Sequence, residues 1–303
     1  MYSIAMRTYG RSKTFSERTY KFLKAQTGLD LAEQLYIFVA NKEEKALYEE
    51  ALKDQPYKQI VVGVLGIKEV TDFMFHFFGN GKEVFFFDDD LFDFFEFPGH
   101  PLTIKIQKES TNLHNYLLDG FKTIHEEGIS TFAFRSMTNP LFISGKAFKE
   151  IRPHYLVGSA WGAVTNFELH TTMFGHNEDM ERSAKVIEED GGSLVYNWAG
   201  MISHINNVGQ GLNEGGMQSS GDRGDFDDPE SRYNHTKAIV DTLANKSLMP
   251  KYFNGPFYDE TLKAWDWKIK PLNSLRKYPI REKRWDEYFD SVSHEIVTNK
   301  LPI

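Results

Sequence analysis

The stretch 83–100, EVFFFDDDLFDFFEFPGH, limits the fold more than any other part of the chain. Glu83 to Phe87 reads as a strand, yet its phenylalanines do not alternate with polar residues. Both faces of such a strand must be covered, which is the habit of parallel sheets flanked by helices. Three like charges, Asp88, Asp89 and Asp90, then fall at its carboxyl end. That edge is where ligands bind in open α/β sheets. Adjacent carboxylates repel, so something must offset them.

The preceding residues alternate between strand and helix patterns. Tyr2 to Met6, Gln34 to Ala40 and Gln59 to Leu65 read as strands. Ser16 is placed to cap a helix over Glu17 to Lys24, and Lys42 to Leu52 and Thr71 to Phe78 read as helices. This predicts an α/β fold with a mostly parallel central sheet covered on both faces. Beyond Pro98 the pattern loosens. Thr103 to Ile106, Thr131 to Phe134 and Leu141 to Ile143 read as short strands, the last two as a pair. Asn112 to His125 and Glu178 to Glu189 read as helices, stopped by Gly128 and Gly191-Gly192. The glycine-rich 207–230 is too long for an ordinary connection, and such loops serve as lids or stay disordered.

The 303 residues contain no cysteine, which excludes disulfides, a thiol nucleophile and Cys-ligated zinc. No apolar run reaches about 18 residues, so no membrane span or membrane partner is expected. The start, MYSIAMRTYGRSK, is too short and polar for a signal peptide, and the chain reads as cytoplasmic. Net charge is −8, the wrong sign for a nucleic-acid binder if spread evenly. It is uneven. Residues 268–284 hold seven basic side chains, including Arg276, Lys277, Arg281 and Arg284, against one acid, Glu282. That segment is either a solvated helix face or a patch for an anionic polymer.

Asp88 and Asp90, at i and i+2 just past a strand, can face one ligand. A hard divalent cation, Mg2+ or Mn2+, would offset their repulsion and bridge them to phosphates. An acidic turn without a ligand is the plainer alternative. Arg7 and Arg11 flank the turn after the first strand, where arginines grip a diphosphate. Asn41 ends the second strand, where a base-reading amide would sit, and Gly66 after the third allows close backbone approach. No GxxxxGK[ST] and no GxGxxG is present, which argues against a P-loop or dinucleotide enzyme.

Strand–RTYGR, strand–VAN, strand–VLGI and strand–DDD together resemble the opening half of GT-A nucleotide-sugar glycosyltransferases. More narrowly, they resemble the DNA-base glycosyltransferases associated with TET/JBP-type base hydroxylases, many of them phage-encoded. The resemblance covers roughly residues 1 to 95, and 170 to 240 more loosely. It implies a GT-A-like domain over 1–245, with 246–303 as a helical or irregular extension packed on it. It also implies transfer of glucose or arabinose from a UDP-sugar to a 5-hydroxymethylpyrimidine, most specifically 5-hydroxymethylcytosine, in DNA.

The same resemblance assigns roles. Asp90 would ligate the metal directly, with Asp88 and a late histidine, His235 ahead of His204, completing the set. Asp88 or Asp89 would also reach the ribose or a metal-bound water. Arg7, Arg11 and Asn41 would line the nucleotide, and Gly215 and Gly216 the donor sugar. Asp179, or Glu178 beside it, would be the general base, although acids at a helix N-terminus also serve its dipole alone. A flipped base would stack on Trp161 or on Phe92, Phe94, Phe95 and Phe97, unless these are core. A glycan or protein acceptor, or a non-catalytic binding role on the same scaffold, remains open at this point.

Overall fold

A computed structural model describes residues 1–97, 108–135, 146–156, 160–173, 178–203, 237, 248–259 and 264–279. The chain opens with β1 (Ser3–Arg7) and a helical run made of α1 (Ser12–Thr14), a π-helical turn (Phe15–Thr19) and α2 (Tyr20–Ala25). Then come α3 (Leu31–Gln34), β2 (Leu35–Val39), α4 (Lys42–Ala51), β3 (Gln59–Val62), α5 (Ile67–Phe78), β4 (Glu83–Asp88) and β5 (Leu91–Glu96). The middle holds β6 (Lys108–Glu109), α6 (Leu113–Glu127), β7 (Thr131–Arg135), β8 (Lys149–Arg152), β9 (Ala160–Val164), α7 (Phe167–His170), α8 (Glu178–Asp190) and β10 (Ser193–Ser203). Last are α9 (Leu248–Tyr252), the hairpin β11 (Phe253–Asp259) and β12 (Ala264–Ile269), and β13 (Arg276–Tyr278).

The fold is the expected α/β arrangement. The main sheet runs β13-β8-β10-β7-β9-β4-β1-β2-β3. Strands β1 to β4 are parallel in the order 3-2-1-4, a Rossmann-like half-sheet. The crossovers from β1 to β2 and from β2 to β3 step one way; the crossover from β3 to β4 steps back past β1. Right-handed crossovers therefore put α2 and α4 on one face and α5 on the other. The two cores agree: Leu23 and Tyr48 pack with Phe85 and Phe87, while Val70 and Phe75 pack with Phe86. This answers why the FFF run does not alternate. Successive rings enter opposite cores, all three buried.

Two features differ from the sequence-based expectation, the start of the first helix and the basic segment, and two more, β9 and β5, lay outside it. The first helix begins at Ser12, and Ser16 lies inside the helical run with Oγ donating to the Lys13 carbonyl, 3.0 Å. Strand β9 lies between β4 and β7, antiparallel to both. Its Gly162 faces the Phe132 ring, which a Cβ there would meet at 2.1 Å. The run after the aspartates is β5, which pairs antiparallel with the far end of β10. Finally, the basic segment is no helix where described. Lys268 lies on β12, and Arg276 and Lys277 lie on the edge strand β13, which pairs with β8 in the main sheet. Thr103 to Ile106 and Leu141 to Ile143 lie outside the described residues.

The aromatic candidates for base stacking are core. Phe94, Phe95 and Phe97 are buried in the cluster that holds Phe85 and Phe87. Trp161 is 2% exposed, stacked on Phe86 at 4.6 Å between ring centroids, with the Arg182 guanidinium 4.9 Å from the centre of its ring. Only Phe92 of that set is partly exposed. Replacing Phe86 with alanine removes the Phe75 and Trp161 ring contacts and leaves a cavity in a two-sided core. Urea denaturation of Phe86→Ala is expected to show a loss of about 3–5 kcal/mol.

Candidate active site

The parallel register of β1 and β4 sets Arg7 directly abreast of Asp88. These two strands flank the place where the strand order reverses, so the pair stands at the topological switch point, at the carboxyl ends. Arg7 is 8% exposed. Its Nε donates to Asp88 Oδ1 at 2.9 Å, and its Nη1 donates to Thr71 Oγ1 at 2.6 Å and Glu178 Oε1 at 3.3 Å. Burial alone would weaken its proton affinity, but the Asp88 and Glu178 carboxylates raise it well above the usual guanidinium range. Arg7 is therefore a counter-ion inside the protein, where sequence reasoning had it facing a diphosphate.

The three aspartates have different fates. Asp88 is half-buried, with Oδ1 taken by Arg7. Asp89 is buried; its Oδ1 accepts from Arg11 Nη1 at 2.7 Å and its Oδ2 from Thr8 Oγ1 at 2.6 Å, while Thr19 Oγ1 donates to its carbonyl at 2.7 Å. Burial pushes the Asp89 carboxyl up, against the pull of Arg11 and Thr8. Asp90 is 8% exposed, and its Oδ1 meets no hydrogen-bond donor. Burial first, then the Asp88 and Asp89 charges, push its carboxyl up to about 7.

Helix α8 brings Glu178 to the same cluster. Glu178 is buried between Arg7 and Arg182, four residues along the helix. Burial would raise its carboxyl, but Arg182 and Arg7 hold it below the usual range. Arg182 Nε donates to the His170 carbonyl at 3.0 Å. Charges thus alternate from Arg182 through Glu178 and Arg7 to Asp88. Asp179 turns elsewhere: its Oδ2 accepts from Tyr155 OH at 2.5 Å. Burial and the neighbouring Glu178 push its carboxyl up to about 6.

Of the remaining sequence candidates, Asn41 caps α4, with Oδ1 accepting from Glu44 N at 2.8 Å and its side chain exposed. Gly66 adopts φ +104° at the N-cap of α5, a conformation that favours glycine. Gly215, Gly216, His204, His235, Arg281, Arg284 and the loop 207–230 lie outside the described residues. Sequence reasoning missed Thr8, Thr19, Thr71 and Arg182. Only Arg182 carried a signal, the i,i+4 spacing from Glu178.

A hard cation fits this cluster. Three guanidinium groups (Arg7, Arg11 and Arg182) face four carboxylates (Asp88, Asp89, Asp90 and Glu178). The acid left without a guanidinium partner is Asp90, whose Oδ1 is buried and meets no donor. Among the described residues no three acidic or histidine side chains converge as a cage. A cation held by Asp90 and Asp88 would draw its other ligands from water and phosphate oxygens, as Mg2+ does.

No family model matches the sequence, and none of the curated proteins matches it. Among solved structures, Staphylococcus aureus TarS in complex with UDP-GlcNAc aligns at a TM-score of 0.48 and 14% identity, covering 82% of this chain and 68% of that one. A mycobacterial protein aligns at 0.43 and 13%, covering 93% and 89%. UDP-glucose pyrophosphorylase complexed with UDP-glucose aligns at 0.36 and 11%, covering 80% and 100%. TM-scores this low carry no functional weight, and the side chains at the switch point must speak for themselves.

The Asp90 environment makes a sign-specific prediction. A carboxyl whose folded value lies above its unfolded one favours folding while protonated. That contribution is complete below the unfolded value of 3.8 and is lost as the pH rises through about 7. Without divalent cations, Tm should fall as the pH rises from 5 to 8, and Asp90→Asn should flatten most of that fall. Differential scanning fluorimetry across this range checks it; parallel curves for the two proteins would count against the assignment.

Proposed function

We propose that the chain is a metal-dependent glycosyltransferase that moves a sugar, arabinose or glucose, from a UDP-sugar to a 5-hydroxymethylpyrimidine in DNA, 5-hydroxymethylcytosine above all. The observation that carries the reading is the cluster at the β1–β4 switch point. There Arg7 fixes Asp88, Arg11 fixes Asp89, and Asp90 is left with an unsatisfied, charge-surplus carboxylate. A divalent cation held by Asp90 and Asp88 would neutralise charge developing on the leaving diphosphate.

The chain's own residues supply the rest. Arg11, partly exposed beside Asp89, places a second positive charge at the same edge. Of the two acids at the start of α8, Asp179 suits a general base better than Glu178. Its carboxyl near 6 is ionised at neutral pH and still basic enough to take the acceptor hydroxyl proton. Glu178 is locked between two guanidinium groups. The DNA acceptor rests on the basic segment. Arg276 and Lys277 are exposed on β13, five strand spacings or about 24 Å from β4, although Arg276 also pairs with Glu127 at 2.6 Å.

Incubating the protein with hydroxymethylcytosine DNA, Mn2+ and a panel of UDP-sugars should add one pentose or hexose per modified base, read by mass spectrometry. Asp90→Asn should abolish both this product and UDP-sugar hydrolysis. No turnover with any UDP-sugar would sink the enzymatic reading. Separately, neutralising Arg276, Lys277, Arg281 and Arg284 together should weaken DNA binding at low salt and flatten its salt dependence by about three to four counter-ions. An unchanged slope in a filter-binding titration would remove the patch from the acceptor site.

A further inference from the structure

A second charged cluster begins at the same sheet edge with Arg135 and runs along β8 to Arg152, which is level with the start of β7. Trp161 on β9 is level with both Phe86 and Ala133, so Arg135, two residues on, is level with Asp88. Only β9 separates the two strands, which puts Arg135 about 10 Å from Asp88. Both side chains belong to the face covered by α5 and α8, since Phe86 and Ala133, at i−2 from each, pack in that core. Lys146 precedes β8, and Arg152 ends it.

Arg135 is only 7% exposed. Its Nε and Nη2 donate to one neutral acceptor, Asn197 Oδ1, at 3.1 and 3.0 Å, and no carboxylate pairs with it among the described residues. Asn197 lies at the register shift in β10 and is pinned by donating from Nδ2 to the Ala147 carbonyl, 2.9 Å, and Glu150 Oε1, 3.2 Å. The cluster's acid, Glu150, lies 3.1 Å from Arg152 Nε and also accepts from Ser274 Oγ at 2.6 Å. That Arg152 Nε is buried and makes no well-formed hydrogen bond. The cations feel one another: burial and then the Arg135 and Arg152 charges hold Lys146 below its usual range, and the same neighbours hold His154 well below its own. One carboxylate, Glu150, is shared by Arg135, Lys146 and Arg152, so the cluster carries a surplus of positive charge that an anionic ligand would offset.

We propose that Arg135, Lys146 and Arg152 form an oxyanion subsite whose ligand is a phosphodiester of the acceptor strand. The phosphodiester assignment rests on the DNA-acceptor reading above; the oxyanion site stands without it. The donor diphosphate belongs at Asp90, about 10 Å away. The cluster lies between that cation site and the basic edge strand β13, on the line a DNA backbone would follow across the sheet edge.

The test uses the full chain and three probes: inorganic phosphate, an unmodified oligonucleotide, and UDP with Mn2+. Phosphate should raise the Tm of wild type saturably and leave Arg135→Gln unshifted. Oligonucleotide binding should weaken about tenfold or more in Arg135→Gln and in Lys146→Gln, while UDP binding stays within twofold. Without phosphate, Arg135→Gln should melt at or above wild type, because it removes one of three cations that share a single carboxylate. Should it fail to fold, Lys146→Gln, at a half-buried position, carries the same comparison. Equal phosphate shifts in wild type and variants would overturn the subsite. Loss of the phosphate shift with unchanged oligonucleotide binding, or weakened UDP binding in its place, would overturn the phosphodiester assignment. If phosphate and oligonucleotide behave as expected but no UDP-sugar turns over, the glycosyltransferase reading fails and the subsite stands.

Discussion

The pairing of Arg7 with Asp88 holds the two halves of the structure in one electrostatic unit. It exists because β1 and β4 run parallel in a register that sets the two residues side by side where both strands end. A buried guanidinium demands more than one carboxylate, and the second comes from Glu178 at the start of α8, some 170 positions later. Glu178 in turn needs Arg182, which lies over Trp161 on β9. One chain of alternating charges therefore fastens the Rossmann-like half to the helix that covers the other half. Breaking such a chain at one member leaves a bare charge behind, so its members stand or fall together.

That arrangement also explains the order of the aspartates. Arginines and threonines satisfy Asp88 and Asp89, and this fixes the turn. Their negative charges are then held close to Asp90, which has no donor for Oδ1. The effect, together with burial, is to raise the proton affinity of one carboxyl at a fixed point on the switch edge. A surface cluster of three aspartates would spread into solvent and bind cations weakly. Here burial prevents that relaxation.

Much of this was legible in the sequence, and the rest was not for definite reasons. The non-alternating FFF run announced a central strand, because each side chain had to find its own core. Helix ends at Gly79, Gly128 and Gly191 were marked by residues that tolerate φ > 0. The insertion of β9 beside β4 could not be read, since an antiparallel neighbour from 75 positions away leaves no local periodicity. Trp161 looked available as a stacking platform only because its ring partners lie in distant strands. The arginines looked like diphosphate ligands for the same reason: the acids that claim Arg7 are 81 and 171 positions away. Residue type was readable, and pairing was not.

The two acids that open α8 show how far pairing matters. Glu178 and Asp179 are neighbours with the same formal charge at the same helix terminus, and composition cannot rank them. Glu178 faces Arg7 and Arg182, which stabilise its ionised form and make it a poor proton acceptor. Asp179 faces Tyr155 and feels the Glu178 charge, which together with burial raises its proton affinity. The two adjacent carboxyls are pushed in opposite directions by their partners. Glu178 can stay charged because it is locked into the arginine chain, and after burial its fixed charge is one cause of the raised Asp179 carboxyl. The ion-pair chain that holds the halves together thereby also tunes its neighbour Asp179, which it does not enclose.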